Sequence, residues 1–265
     1  MGPLITLTTD FGQGSPYVAQ MKGVIYAHCR QAEIVDITHG IRPQHIREGA
    51  LVLADVTPRF PPGTIHVAVV DPGVGTSRKL VYAEFGGQRY LAPDNGLLTL
   101  VSQLAPRGEV ISLERPDFWA AEVSPTFHGR DILAPVAGHL ACGLAPAKLG
   151  PPLVSLLHVP IPQPRLASDR ALGEVLLIDS FGNLITNVRV DQLPPAVPAS
   201  EVVVECKGRT IVGLQDAYEL SPSGTLVALV DSQGRLEIAA VRGSAAAVLS
   251  ASEGTAVVAR WPAGK

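Results

Sequence analysis

Residues 3–28 read PLITLTTDFGQGSPYVAQMKGVIYAH, and this stretch decides the fold. Residues 3–9 predict a strand buried on both faces, closed by Asp10-Phe11-Gly12. From Pro16 the apolar spacing turns helical, and proline suits a first helical turn, where its missing N–H costs nothing. The same succession recurs downstream. Residues 33–37 (EIVDI) predict a second strand and 45–57 (HIREGALVLADVT) a second helix. Residues 64–70 (TIHVAVV) predict a third strand, running into Asp71-Pro72-Gly73. Strand then helix, repeated, predicts an α/β N-terminal domain with a mainly parallel central sheet. Ligands of such sheets collect beyond the carboxyl ends of the strands. Asp10 and Asp71 both fall there.

Further along, 80–85 and 89–92 predict a hairpin across Gly86-Gly87, and 94–103 and 130–143 predict helices. Five prolines in PPLVSLLHVPIPQPRL (151–166) then mark an extended linker. Short alternating runs follow at 173–179, 185–190, 201–206, 225–230, 235–240 and 255–260. They predict a C-terminal antiparallel β-barrel-like domain. The expected boundaries are 1–158 for the α/β domain, 159–170 for the linker and 171–265 for the β domain.

With 46% hydrophobic and 17% charged residues, the chain has material for a real core and does not read as disordered. The net charge of -3 is spread without a basic patch, so no nucleic-acid partner is expected. Cys29, Cys142 and Cys206 are widely spaced and form no CxxC, which predicts buried thiols in a reducing compartment rather than disulfides or zinc ligands. No apolar run reaches the ~20 residues of a membrane span. A cytoplasmic location without a membrane partner is therefore expected.

Five constellations bear chemistry. Asp10, in TTDFG, is placed either to accept from ribose hydroxyls or to cap a turn. In DPGVGTSR (71–78), Arg78 can fold back onto Asp71, as part of a site or as a loop pin. PTFHGRD (125–131) sets His128 in a loop between Phe127 and Gly129, with Arg130 and Asp131 able to pair locally. In IDSFGNLITN (178–187), Phe181 can stack on a base and Asn183 can bond its edge, or the segment is a hairpin turn. DSQG (231–234) reads as a tight turn by itself.

Together these motifs resemble the S-adenosylmethionine hydroxide adenosyltransferase family, the hydrolytic relatives of the fluorinating and chlorinating enzymes. TTDFG, VDPGVGT, APDNGLL, TFHGRD, IDSFGNLITN and DSQG stand in the family's order over nearly the whole chain. The resemblance implies an adenosine-forming hydrolysis of S-adenosylmethionine (SAM) by water, without a cofactor or metal ligands. It implies a homotrimer, with sites where subunits meet. It assigns Asp71, Arg78 and His128 to catalysis, Asp10 to the ribose, Phe181 and Asn183 to adenine, and Asp179 and Ser232 to the methionine amine and carboxylate. Tyr17 falls in the loop closing over the methionine end, and Phe127 and Gly129 belong to the substrate pocket.

Two positions separate the subfamilies. Asp71 stands where the halogenating enzymes carry a tyrosine, and Gly129 where the fluorinating one carries a halide-binding serine. A carboxylate repels halide but can orient and deprotonate water. Gln233 stands where the fluorinating relative carries an arginine that assists the methionine carboxylate, and Asp231 adds a negative charge beside it. Rival readings are a SAM- or nucleoside-binding protein with negligible turnover, halide-dependent adenosyl transfer, and a metal phosphohydrolase using Asp10, Asp71 and His128. The last lacks the HxH, DxD or HD pairs it would need.

Overall fold

A computed structural model describes residues 2–194 and 197–262. The chain forms two compact units, Met1–Pro160 and Ile161–Lys265. The outer ends of the expected domains, residue 1 and residues 263–265, lie outside the described residues.

The first unit is built on a six-stranded sheet ordered β2-β1-β3-β5-β4-β6. Its strands are β1 (Leu4–Thr9), β2 (Glu33–Thr38), β3 (Ile65–Val69), β4 (Leu80–Phe85), β5 (Gln88–Pro93) and β6 (Arg107–Ser112). β1 runs parallel to β2 and β3, and β3 parallel to β5, while β4 is antiparallel to both β5 and β6. The helices are α1 (Pro16–His28), α2 (Ile46–Val56), α3 (Thr99–Leu104) and α4 (Ala134–Ala141). Successive strand residues face opposite ways, and β3 shows the result. Val67 and Val69 join a core with Met21 and Ile25 of α1 and Ala137 of α4. Ala68 and Val70 join a second core with Leu53 of α2 and Val101 of α3. Both faces of the central strands are therefore covered, as the apolar runs predict.

Two helices differ from expectation. The helix read over 94–103 begins only at Thr99, because Asn95 is used in a turn: its Nδ2 donates to Val70 O at 2.8 Å and its Oδ1 accepts from Leu97 N at 3.2 Å. The helix read over 130–143 starts as a π-helical turn, Gly129–Leu133, before α4 continues it. Strand β6 was not expected. Its first half, Arg107-Gly108-Glu109, is exposed and carries no alternating pattern. The proline-rich stretch after the first unit's helices lies along it, with Leu153 N donating to Val110 O at 2.7 Å.

The second unit is a barrel-like, antiparallel-rich sheet. Its strands are β7 (Arg165–Leu166), β8 (Arg170–Ile178), β9 (Leu184–Arg189), β10 (Val203–Cys206), β11 (Arg209–Val212), β12 (Leu214–Gln215), β13 (Leu226–Val230), β14 (Arg235–Ala240) and β15 (Ala256–Arg260). The order is β11-β10-β15-β8-β9-β14-β13-β12, with β7 added to β8. Within this second sheet, among the described residues, only β12 and β13 pair in parallel. A short helix, α5 (Ala245–Leu249), packs on β14. Its core holds Val175, Leu184, Val204, Ile238 and Val257. No helix among the described residues is long and apolar enough to cross a membrane.

Candidate active site

Parallel pairing puts Thr9 of β1 opposite Val69 of β3, so Asp10 and Asp71 leave neighbouring strand ends. They line one cleft of about 300 Å³ with Phe11, Gln44, Phe127, His128 and Gly129. Five residues assigned from the sequence, Asp10, Asp71, Phe127, His128 and Gly129, thus share one space in the first unit.

Arg78 organises it. Its Nε donates to Asp71 Oδ1 and Oδ2 at 3.0 and 2.9 Å, and its Nη2 to Oδ2 at 2.5 Å. The same Nη2 lies 2.9 Å from His128 Nδ1. A guanidinium can only donate, so Nδ1 must accept, and the neutral imidazole then carries its proton on Nε2. Burial, followed by the Arg78 charge, pulls the His128 pKa below its ordinary value, against the opposing pull of Asp71 and Asp131. Asp71 and Arg78 are 5% and 10% exposed at their side chains, so the pair is shielded from the water that weakens surface ion pairs.

Two loops must meet to make this chain of bonds. Gly75 has φ +80° and passes so close to the next loop that a Cβ there would lie 2.4 Å from Pro125 O. Only glycine satisfies both the left-handed backbone and the contact. The His128 loop is pinned from its own side by Asp131, which accepts from Ser124 N at 2.8 Å and from Arg130 Nε at 2.6 Å. Burial alone would raise the Asp131 pKa, but the bonds from Arg130 and Ser124 outweigh it and lower the value. The local Arg130–Asp131 pairing is therefore real, and it holds His128 in place. Asn95, unassigned at the sequence level, fixes the carbonyl of Val70 immediately before Asp71.

Asp10 Oδ2 accepts from Gln44 N at 2.7 Å. It therefore anchors a turn, while Ser15 and not Asp10 caps α1. Oδ1 of Asp10 has no hydrogen-bond partner among the described residues. Tyr17 is half exposed and outside the cleft lining, but its ring packs edge-on against Phe11 and Phe127 at centroid distances of 5.8 and 5.2 Å. A Cβ on Gly129 would make ordinary contacts, 3.4 Å to Val69 Cγ2 and 3.5 Å to Met21 Sδ, so the position has room for a small side chain.

The second unit has its own cleft, about 510 Å³, lined by Phe181, Asn183, Tyr218, Glu219, Ala240, Arg242 and Gly243. Phe181 is 76% exposed, a large ring left in the open. Asp179 shapes its turn: Oδ1 accepts from Phe181 N and Asn183 N at 2.9 and 2.8 Å, and Oδ2 from Asn183 Nδ2 at 3.1 Å. Ser232 is elsewhere. Leu184 pairs with Ile238 and Arg189 with Arg235, which puts the Asp179–Asn183 turn and the Ser232 turn at opposite ends of β9 and β14. At the Ser232 turn, Asp231 Oδ1 accepts from Gln233 N and Arg235 N, both at 2.8 Å. Its charge is thus engaged in the turn, and Arg189 Nη1 donates to Gln233 O at 3.3 Å.

Residues 5–150 match the model of the SAM hydroxide adenosyltransferase N-terminal domain, and 173–258 that of its C-terminal domain. A curated relative from Thermus thermophilus, named (R)-S-adenosyl-L-methionine hydrolase, is 39% identical over 97% of this chain and 99% of its own. A fluorinase from Actinopolyspora mzabensis is 31% identical over 73% of this chain and 74% of its own. The crystal structure of an uncharacterized conserved protein from Thermotoga maritima superposes with a TM-score of 0.91 at 37% identity, covering 97% of this chain and 99% of that one. Both domains, in order and nearly complete, place this chain in the SAM hydroxide adenosyltransferase family.

Proposed function

We propose that the protein hydrolyses S-adenosylmethionine to adenosine and L-methionine. The observation that carries this reading is that Arg78 bonds to both Asp71 and His128, two residues that line the first unit's cleft. Water is a poor nucleophile, whereas the leaving group, a neutral thioether, needs no acid. The site's task is to hold one water, strip it of bulk solvent and take its proton during attack. Asp71 accepts that proton. The water oxygen bonds to C5′ of the ribose, and the C5′–S electron pair leaves with methionine. Arg78 fixes the carboxylate from one side. His128, neutral and bonded through Nδ1, offers an Nε2–H and so orients the water rather than deprotonating it.

Asp10 holds the ribose through its open Oδ1, with Tyr17, Phe127 and Gly129 at the reacting end. Phe181 and Asn183 hold adenine and Asp179 the methionine amine; Ser232, at the other end of β9 and β14, does not stand beside Asp179 to hold the carboxylate of the same methionine. The two sets lie on different units, and the homotrimer implied by the family would supply both. Neither a metal nor a cofactor takes part, and the enzyme works in the cytoplasm. Relatives named for the (R)-sulfonium epimer make that epimer the substrate to test beside the common one.

The test is direct. Purified protein is incubated with each epimer, with and without chelator, fluoride or chloride, and the products are separated. Adenosine and methionine in equal amounts, unaffected by chelator or halide, are expected. Tight nucleoside binding without product would favour the binding-protein reading. A 5′-halogenated adenosine would favour halide transfer, against which the Asp71 carboxylate and the missing hydroxyl at Gly129 both argue.

A further inference from the structure

Cys29 and Cys142 are distant in sequence and adjacent in space. Cys29 ends α1 and Cys142 ends α4. The two helices pack so tightly here that a Cβ on Gly138 would lie 2.6 Å from His28 Cβ and 3.2 Å from Ile25 O. The Cys142 thiol donates to His28 O, the residue before Cys29, at 3.4 Å, which brings the two cysteines side by side. One is accessible and the other is not: Cys142 is exposed, Cys29 buried. Burial first, and then the Cys142 sulfur, push the Cys29 pKa up.

We infer that Cys29 and Cys142 form a redox pair that closes to a disulfide when a low-molecular-weight disulfide such as oxidised glutathione is present. The exposed Cys142 thiolate attacks one glutathione sulfur, and the other glutathione leaves as a thiolate. Cys29 loses its proton, attacks the Cys142 sulfur of the mixed disulfide and expels the second glutathione. Two protein thiols are oxidised by two electrons, one glutathione disulfide is reduced to two thiols, and their two protons come from the two cysteines. In a reducing compartment the pair stays open. The bond would tie the far ends of two helices whose near ends lead to the cleft, α1 from the Asp10–Tyr17 loop and α4 from the turn carrying His128.

The full chain is equilibrated with oxidised glutathione, its remaining thiols are alkylated, and it is digested without reductant for mass spectrometry. The expected result is a Cys29–Cys142 linked peptide lacking two hydrogens, with Cys206 alkylated and the link reversed by dithiothreitol. Because the closed loop is long, the melting temperature should rise by roughly 5–10 °C. In Cys142→Ser, an exposed change that leaves the core alone, the rise should vanish. Alkylation of both thiols, a stable glutathione adduct on Cys142, a link to Cys206 or between chains, or a rise that persists in Cys142→Ser would each overturn the inference.

Discussion

Arg78 has two partners at the cleft. Its guanidinium grips Asp71 with Nε and Nη2, and the same Nη2 also donates to His128 Nδ1. Protonating His128 would set an N–H against that guanidinium and break the contact. Because burial and Arg78 lower the folded pKa, the neutral form and the stability it brings are complete above the ordinary value of 6.5 and are lost as pH falls through the lower folded value. The acid limb of kcat/KM should therefore lie below 6.5, with no rise in activity on acidification. A rate that increases as pH drops through 6.5 would mean that protonated His128 is the working form. The residues of this site were readable one by one, yet none was decisive. Asp71 and Arg78 are seven positions apart, but His128 is 50 residues from Arg78, and nothing local reports that contact.

At the level of elements, strand ends and loop crossings matter most. Gly75 lets the Asp71–Arg78 loop touch the loop of Pro125. Gly75→Ala should force them apart without touching Asp10. Turnover should drop about 100-fold, the scale of a 1 Å misplacement, with adenosine affinity nearly unchanged. An unchanged kcat in this variant would show that the loop contact does not set the catalytic geometry. The strongly patterned elements, β1, α1, α2 and β3, lie within a residue or so of where their periodicity puts them. What the pattern hid has physical reasons. β6 starts with polar, exposed residues, α5 is five residues of mostly alanine, and a π-helical turn at 129–133 has the composition of ordinary helix. Asn95, in a stretch read as helix, instead closes a turn onto Val70, just past the end of β3.

Across the whole molecule, one deeply buried group in each unit responds to pH, and the two have opposite sign. In the first, His66 is fully buried, with Nδ1 2.7 Å from Thr6 Oγ1 and Nε2 3.3 Å from Gln88 Oε1. Burial takes its pKa down from 6.5 to about 4, so the stability it brings is complete above 6.5 and lost towards pH 4, up to about 3 kcal/mol. In the second, burial first, and then the charges of Asp179 and Asp231, raise the Glu237 pKa from 4.5 to about 7 against a hydrogen bond from Tyr218. Its contribution is complete below 4.5 and lost as pH rises through 7. Glu237→Gln should therefore raise the second unit's melting temperature more at pH 8 than at pH 5, by calorimetry. An equal effect at both would contradict the ionisation account. Neither buried group was singled out by sequence, since a histidine in TIHVAVV and a glutamate in RLEIAA look like ordinary strand residues. The order of the motifs carried the family assignment, and the parallel sheet carried the meeting of Asp10 with Asp71.

The central claim is that water, held by Asp71, attacks C5′ of the ribose. The measurement that tests it most directly is the mass of adenosine formed from S-adenosylmethionine in ¹⁸O-water by the wild-type chain and by Asp71→Asn. One ¹⁸O in the 5′-hydroxyl with the wild type, and loss of turnover in Asp71→Asn with adenosine binding retained, are expected. Unlabelled adenosine, or full labelled turnover without the carboxylate, would contradict the account.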